Sequence, residues 1–168
     1  MFALTILGIL VALAVPGFMG LVEEFQVDGK QRNFISGLKY AQSEAVKRNS
    51  NVTMCVASTT SNDTCDTTSA NDWDQGWYIF DDANADQVIN TPATEILRSQ
   101  NAVNNVTFVT TADVNAISFN GNGAILPGAP IMFTFCHTDS DNADCSSTDE
   151  YRSMFTSLPS GQLVIVPN

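Results

Sequence analysis

The chain opens on an unbroken apolar run. Residues 1–22, MFALTILGILVALAVPGFMGLV, carry no charged side chain, and Thr5 holds their only hydroxyl. As a helix rising 1.5 Å per residue, such a run spans about 30 Å, the thickness of a bilayer's hydrocarbon core. A cleaved signal peptide is the alternative, with Ala12-Leu13-Ala14 as its cleavage site. However, no Lys or Arg precedes the run to form a basic flank, and the pattern continues past that site. A retained anchor is therefore favoured. Pro16, with Gly17 and Gly20 close by, predicts a kink or a locally unwound stretch.

After Glu23 and Glu24 the pattern changes to that of an amphipathic helix. Phe34, Leu38, Ala41 and Ala45 recur at steps of four, three and four, which places them on one helix face. Lys30, Lys39 and Lys47 fall off that stripe, and Asn49-Ser50-Asn51 ends it. The whole element would reach about 70 Å, and its stripe is expected to rest on the core of the downstream head.

From residue 51 onward the period shortens. Short runs rich in Val, Ile, Phe and Thr occupy 51–57, 77–80, 103–109, 116–120, 131–136, 151–158 and 163–166. Turn residues separate them, among them Asn120-Gly121-Asn122-Gly123, Pro127-Gly128 and Pro159-Ser160-Gly161. In Ile131-Met132-Phe133-Thr134-Phe135 the large apolar residues alternate, as in a strand with one buried face. A helix followed by many strands predicts an α+β fold, with the helix packed on one sheet of a small antiparallel β-sandwich. The expected divisions are an apolar helix segment (1–24), an amphipathic helix half (25–50) and a β-rich head (51–168). Phe34, Leu38, Ala41 and Ala45 are expected to pack against Trp77 and Phe80 of the head. Trp73, between Asp72 and Asp74, is expected to be partly exposed.

Composition narrows the function classes. With 168 residues, 44% hydrophobic and 15% charged, the chain is neither disordered nor fibrous. Its net charge is −11, and the charge is unevenly placed: five of the seven basic residues lie between 30 and 48. Residues 51–168 set fourteen carboxylates against Arg98 and Arg152 alone. A surface this acidic repels phosphate backbones, so nucleic acid is not an expected partner.

The four cysteines form two close pairs, Cys55/Cys65 and Cys136/Cys145, each bracketing or flanking a Ser/Thr/Asn/Asp-rich loop. Their spacing is too wide for the usual zinc arrangement, and His137 has no second histidine to join it. Two local disulfides in an oxidising compartment are expected. Closing a loop of this size contributes about 3 kcal/mol in the chain-entropy view.

Catalytic motifs are missing: no nucleophile elbow, no H-E-x-x-H and no phosphate loop. His137 beside Cys136 resembles a base and thiol, but Cys145 is the natural partner of that cysteine. No enzyme activity and no cofactor are expected. Asp82-Ala83-Asn84-Ala85-Asp86 has the alternation that presents oxygens to calcium, making Asp82, Asn84 and Asp86 a candidate site. The glycine that should follow is Gln87, and the twelfth position is Ala93 rather than Glu, so a solvated acidic turn is the favoured reading.

Several segments together resemble a known family. An apolar run ending Ala14-Val15-Pro16-Gly17-Phe18, continuous with an amphipathic helix and a disulfide-bearing β head, resembles type IV pilin-like proteins. Within them, Ala41-Gln42-Ser43-Glu44-Ala45-Val46-Lys47-Arg48-Asn49 followed by Val52-Thr53-Met54-Cys55 is similar to the GspH/FimT pseudopilins. So are Gln75-Gly76-Trp77-Tyr78-Ile79-Phe80-Asp81-Asp82, Ile96-Leu97-Arg98 and Ile117-Ser118-Phe119-Asn120-Gly121-Asn122-Gly123.

The resemblance implies a minor pilin or pseudopilin, a structural subunit of a thin extracellular filament; a pseudopilin of a type II secretion system is the alternative, and a secreted, signal-cleaved binding domain is the outside reading. It implies residence in the bacterial inner membrane before assembly and at the cell surface after it. Other pilin subunits, an assembly platform and a prepilin peptidase would be the partners. Ile6, Gly8, Leu10, Leu13, Pro16 and Phe18 would then lie in the membrane and later in the filament core. Two departures stand out. Some FimT-like proteins carry an arginine motif near the C-terminus that is associated with DNA uptake, whereas this chain has the uncharged Ser160-Gly161-Gln162-Leu163-Val164-Ile165-Val166. The family's glutamate near its processed N-terminus is also missing, since no acid precedes Glu23. Aligning Pro16 with the family's proline puts Met1 a few residues inside that processed end. A glutamate and a basic leader are therefore expected in the codons upstream.

Overall fold

The computed structural model describes the backbone of residues 2–68, 73–102, 106–110, 114–126, 131–137, 153–157 and 160–166, and within these the side chains from residue 25 onward except at 106, 108, 109, 136, 137, 153–157, 163, 165 and 166. Helix α1 (Phe2–Arg48) is continuous. Pro16 and its neighbouring glycines therefore do not unwind it. One proline removes a single intrahelical hydrogen bond, and the turns on either side carry the helix through. The side chains of Ile6, Gly8, Leu10, Leu13, Pro16 and Phe18 lie outside the described residues. Among the residues whose side chains are described, from residue 25 onward, no helix is long and apolar enough to cross a membrane.

The end of α1 is built by its sequence. Asn49 takes a positive φ of 50°. The Ser50 N–H donates to the Ala45 carbonyl (3.2 Å) and the Asn49 N–H to the Val46 carbonyl (3.3 Å). This is the paired closure by which a helix satisfies its last carbonyls, with Asn standing where Gly is commonest.

The chain then forms strands β1 (Val52–Val56), β2 (Gly76–Asp81), β3 (Ile96–Asn101), β4 (Val106–Thr110), β5 (Ala116–Phe119), β6 (Ile125–Leu126), β7 (Ile131–His137), β8 (Ser153–Ser157) and β9 (Leu163–Val166). They make a five-stranded sheet in the order β3-β2-β1-β5-β6 and a four-stranded sheet in the order β4-β7-β8-β9. Each pairing is antiparallel. A single helical turn, α2 (Pro92–Glu95), leads into β3, and a 3₁₀ turn (Trp73–Gln75) leads into β2. The fold is α+β, as expected. Strand β3 and the two-residue β6 lie outside the runs expected as strands.

Alternation along the five-stranded sheet sorts its residues into two faces. Val52, Met54 and Val56 of β1, Trp77 and Ile79 of β2, and Ile117 and Phe119 of β5 share one core with Phe34, Leu38, Ala41 and Ala45 of α1. Ile131, Phe133 and Phe135 of the other sheet join the same core. The helix thus touches both sheets rather than one. Phe34 is at the junction, its ring centroid 5.1 Å from Phe133, 5.7 Å from Phe135 and 5.3 Å from Trp73.

Two aromatic residues depart from expectation. Phe80 does not face the helix; it belongs to a separate cluster with Cys55 and Ile89 on the opposite side of the sheet. It stands three positions after Trp77, and an odd step along a strand reverses the face. Trp73 is fully buried despite its acidic neighbours. The 3₁₀ turn directs its ring inward, and its indole N–H donates to the Val114 carbonyl at 3.0 Å.

Gly37 lies in the middle of α1, under the Trp77 ring. A side-chain carbon there would sit 2.9 Å from the ring's outer edge. Glycine weakens a helix by about 1 kcal/mol relative to alanine, and here that cost admits a tryptophan into the helix surface. Gly37→Val is therefore expected to destabilise the chain by about 1–3 kcal/mol through overpacking, read as a lower thermal unfolding midpoint. A midpoint at or above that of the unaltered chain would show that Trp77 yields freely.

Candidate functional site

The structural role that the resemblance implies would be exercised through surfaces, which makes the grip of α1 on the head and the outer faces of both the candidate sites. Along the gripping face, apolar contacts give way to polar ones toward the helix end. Val27, Phe34, Leu38, Ala41 and Ala45 are buried. Gln42 Nε2 then donates to two carbonyls of the head, Gly123 O (2.8 Å) and Gly161 O (3.1 Å). Both glycines have positive φ, 78° and 79°, so the β5–β6 turn and the approach to β9 converge on one helix side chain.

Nine residues earlier on the helix, Asn33 Nδ2 donates to Gln100 Oε1 of β3 (2.8 Å). The Arg98 guanidinium stacks near the rings of Tyr40 (5.9 Å) and Trp77 (5.5 Å).

At the end of α1, charge takes over. Glu44 is largely buried and accepts from Arg48 Nε (2.8 Å) and Lys47 Nζ (3.0 Å). Arg48 also donates through its other arm to Asp81 Oδ2 (2.9 Å), at the end of β2. The Arg48 bond, then that of Lys47, holds the Glu44 carboxyl below its ordinary range. The Glu44 bond in turn pushes the Arg48 guanidinium upward.

The far side of the five-stranded sheet carries the other candidates. Cys55 of β1 and Cys65 form a disulfide with their Cα atoms 5.6 Å apart. Cys136–Cys145 lies outside the described residues, as do the side chains of His137 and the loop after it. Asp82 points inward and is 1% exposed. Thr53 Oγ1 donates to Asp82 Oδ2 (2.6 Å), Ser118 lies 2.7 Å from Thr53, and Gln87 Nε2 donates to Ser118 (3.3 Å). The backbone N–H groups of Asp86 and Gln87 close on the same carboxylate. Burial raises the Asp82 carboxyl above its ordinary range, opposed by these bonds.

Asn84 Nδ2 donates to Asp86 Oδ2 (2.7 Å), and Asp86 Oδ1 accepts the Val88 N–H (2.9 Å), which lowers the Asp86 carboxyl. Asp82, Asn84 and Asp86 thus bind their own loop and do not converge as a cation site. Among the described residues, no group of three acidic, histidine or cysteine ligands could hold a metal.

A family model described as type II transport protein GspH matches residues 31–152, which include most of the gripping face, both described cysteines and most of the strands. The chain belongs to the GspH family. No curated protein sequence matches it. Its fold is similar to that of the type IV minor pilin FimU of Pseudomonas aeruginosa, with a TM-score of 0.62 at 17% identity over 88% of this chain and 92% of that one. A second crystal form of FimU gives a TM-score of 0.57 at 18% identity, with the same coverage. The minor pseudopilin EpsH of the Vibrio cholerae type 2 secretion system gives 0.51 at 9% identity, over 83% of this chain and 95% of that one.

In this GspH-family chain, two residues of the helix–head joint escape the periodicity argument, because neither is apolar. They are Gly37 and Gln42. The available signal is a small and a polar residue set directly beside a buried stripe, at positions where the head supplies a ring and two carbonyls.

Glu44 gives a pH test. Its carboxyl is lowered in the folded chain, so the stability it contributes is present above the ordinary value of about 4.5 and is lost as pH falls through the lowered one. Asp82 is raised and contributes with the opposite sign, so the comparison must be differential. Glu44→Gln is expected to lower the thermal midpoint at pH 7 and to make it fall less steeply below about pH 4.5 than in the unaltered chain. Parallel midpoint–pH curves for the two would exclude this role.

Proposed function

We propose that this chain is a minor, structural subunit of a type IV pilus-like extracellular filament. Residues 1–22 hold it in the bacterial inner membrane until assembly draws that apolar helix into the filament core. The observation that carries the proposal is the 47-residue helix α1, whose described side chains are buried by the head from Val27 onward. The preceding residues continue the same helix for about 35 Å, enough to cross a bilayer and too apolar in sequence to be left in water. Ile6, Gly8, Leu10, Leu13, Pro16 and Phe18 would face lipid before assembly and other pilin helices after it. The family's prepilin peptidase and assembly platform, with other pilin subunits, are the partners. The role is structural, with no catalytic step. Nucleic acid is not a partner, because the acidic head repels it.

A place in a type II secretion machine is the second reading. It is supported by the description of the matching family and by the likeness to EpsH.

Filaments sheared from cells should contain the chain. Leu10→Arg should abolish its incorporation or its membrane retention, because an arginine at mid-bilayer costs at least about 2.5 kcal/mol. Incorporation of this variant at the normal level would reject the role of residues 1–22.

The second disulfide is a separate test of the oxidising compartment. Non-reducing peptide mapping should show Cys136–Cys145 beside Cys55–Cys65, with no reactive thiol; crossed pairing or free thiols would contradict it.

A further inference from the structure

On the face of the five-stranded sheet turned away from α1, two hydroxyls sit side by side between a carboxylate and a carboxamide. Thr53 of β1 and Ser118 of β5 are direct cross-strand partners, and both are buried. Thr53 has one hydroxyl proton, and it is spent on Asp82 Oδ2 at 2.6 Å. The 2.7 Å bond between the two hydroxyls must then run from Ser118 to Thr53. The Ser118 proton is thereby aimed at a carboxylate through one relay. A Ser118 lone pair faces the Gln87 carboxamide, whose Nε2 lies 3.3 Å away.

The same carboxylate places the carboxamide. Both Asp82 oxygens accept the Gln87 N–H at 3.3 Å, and Gln87 takes a positive φ of 60°, a conformation costly for a residue with a side chain. Its backbone is therefore pinned beside the two strands. Phe80, the partner of Thr53 on β2, and Cys55 are buried on the same side of the sheet with Ile89. Burial raises the Asp82 carboxyl, which makes it a stronger base than an exposed aspartate.

We propose that Ser118 and Gln87 become joined by an ester, which the chain forms on itself. Ser118 Oγ bonds to Gln87 Cδ while its proton passes through Thr53 Oγ1 to Asp82, and the carbonyl electron pair moves onto Oε1. The pair then returns, the Cδ–Nε2 bond breaks, and the nitrogen leaves as ammonia with the proton that Asp82 held. Hydroxyl and carboxamide give ester and ammonia, with no oxidant, cofactor or second chain. The step happens once per molecule and turns over no substrate, so the role of the chain stays structural. It ties the 82–87 loop to β5, as the Cys55–Cys65 disulfide ties its own loop to β1. Nothing in it depends on the filament reading.

The test is peptide mapping of the full chain, isolated from the cells that make it and unfolded and fully reduced before digestion. Trypsin cuts after Arg48, Arg98 and Arg152, so Gln87 and Ser118 fall on separate peptides, 49–98 and 99–152. The expected result is these two peptides joined, lighter than their sum by one ammonia, and parted by mild alkali. Ser118→Ala should leave them separate, with an intact Cys55–Cys65 bond before reduction as the sign of folding. Thr53→Val, which removes the relay but keeps the volume, should lower the joined fraction soon after synthesis about tenfold or more. Thr53→Ser, which keeps the hydroxyl, should restore it. Separate peptides in the unaltered chain would overturn the ester, whatever the variants do. So would ammonia lost within 99–152 alone, the mark of a cyclised Asn120 or Asn122, or a joined pair that survives Ser118→Ala. An undiminished yield from Thr53→Val would overturn the relay.

Discussion

Phe34 stands where one helix and two sheets meet, and the head depends on that meeting. No strand pairing joins the five-stranded sheet to the four-stranded one among the described residues. What unites them is a shared core in which the rings of Phe133 and Phe135 from one sheet, and Trp73 beside the other, close on a single side chain of α1. Fully burying a side chain of this size contributes about 1.5–3 kcal/mol, and the alternative is two sheets each exposing an apolar face. The helix is a structural layer of the head, not an appendage to it. Residues 27–45 cannot leave the core without exposing it.

Contacts along α1 become more polar toward its C-terminal end. Aromatic packing at Phe34 is followed by the amide of Gln42 on two head carbonyls, then by Glu44 and Arg48, and finally by the Asn49 closure. Apolar contacts supply most of the stability but tolerate sliding and rotation. Directional bonds at one end do not. The bridge from Glu44 through Arg48 to Asp81 ties the last helical turn to the end of β2, fixing the rotation and height of the helix on the head. Partly buried ion pairs add little net stability, so orientation is the better account of their presence. In the proposed filament role, a helix held by its first half would need its head held at a defined angle by its second.

Most of this joint is legible in the sequence, because the burial of one helix face leaves a period of three and four. Phe34, Leu38, Ala41 and Ala45 are such a pattern, and the short Val/Ile/Phe runs mark β1, β2, β5 and β7 for the same reason. What escapes has a physical cause in each case. Strand β3 is a half-exposed edge, Ile-Leu-Arg-Ser-Gln-Asn, whose residues need not alternate. Strand β6 has two residues, too few for any period. Trp73 defies its acidic neighbours, which suggest solvent, because a single 3₁₀ turn decides its direction. The Asn120–Gly123 turn is legible as a turn; that its carbonyl receives Gln42 is a long-range fact with no local trace.

The parity of β2 accounts for the rest of the site. Trp77 and Ile79 point toward α1, so Tyr78, Phe80 and Asp82 must point away from it. That single rule moves Phe80 off the helix and also removes the calcium candidate. Asp82 is the first oxygen donor of the D-x-N-x-D alternation, and its position directly after β2 turns it to the same side of the sheet, where Thr53 and two backbone N–H groups occupy it. The same alternation suits a calcium loop and a self-satisfied turn, because each must hold a sharply bent backbone with carboxylates, against a cation in one case and against its own N–H groups in the other. Which outcome prevails depends on whether the first carboxylate is free to face the loop. Here the strand aims it at Thr53, and Asn84 and Asp86 are left to brace each other at the surface.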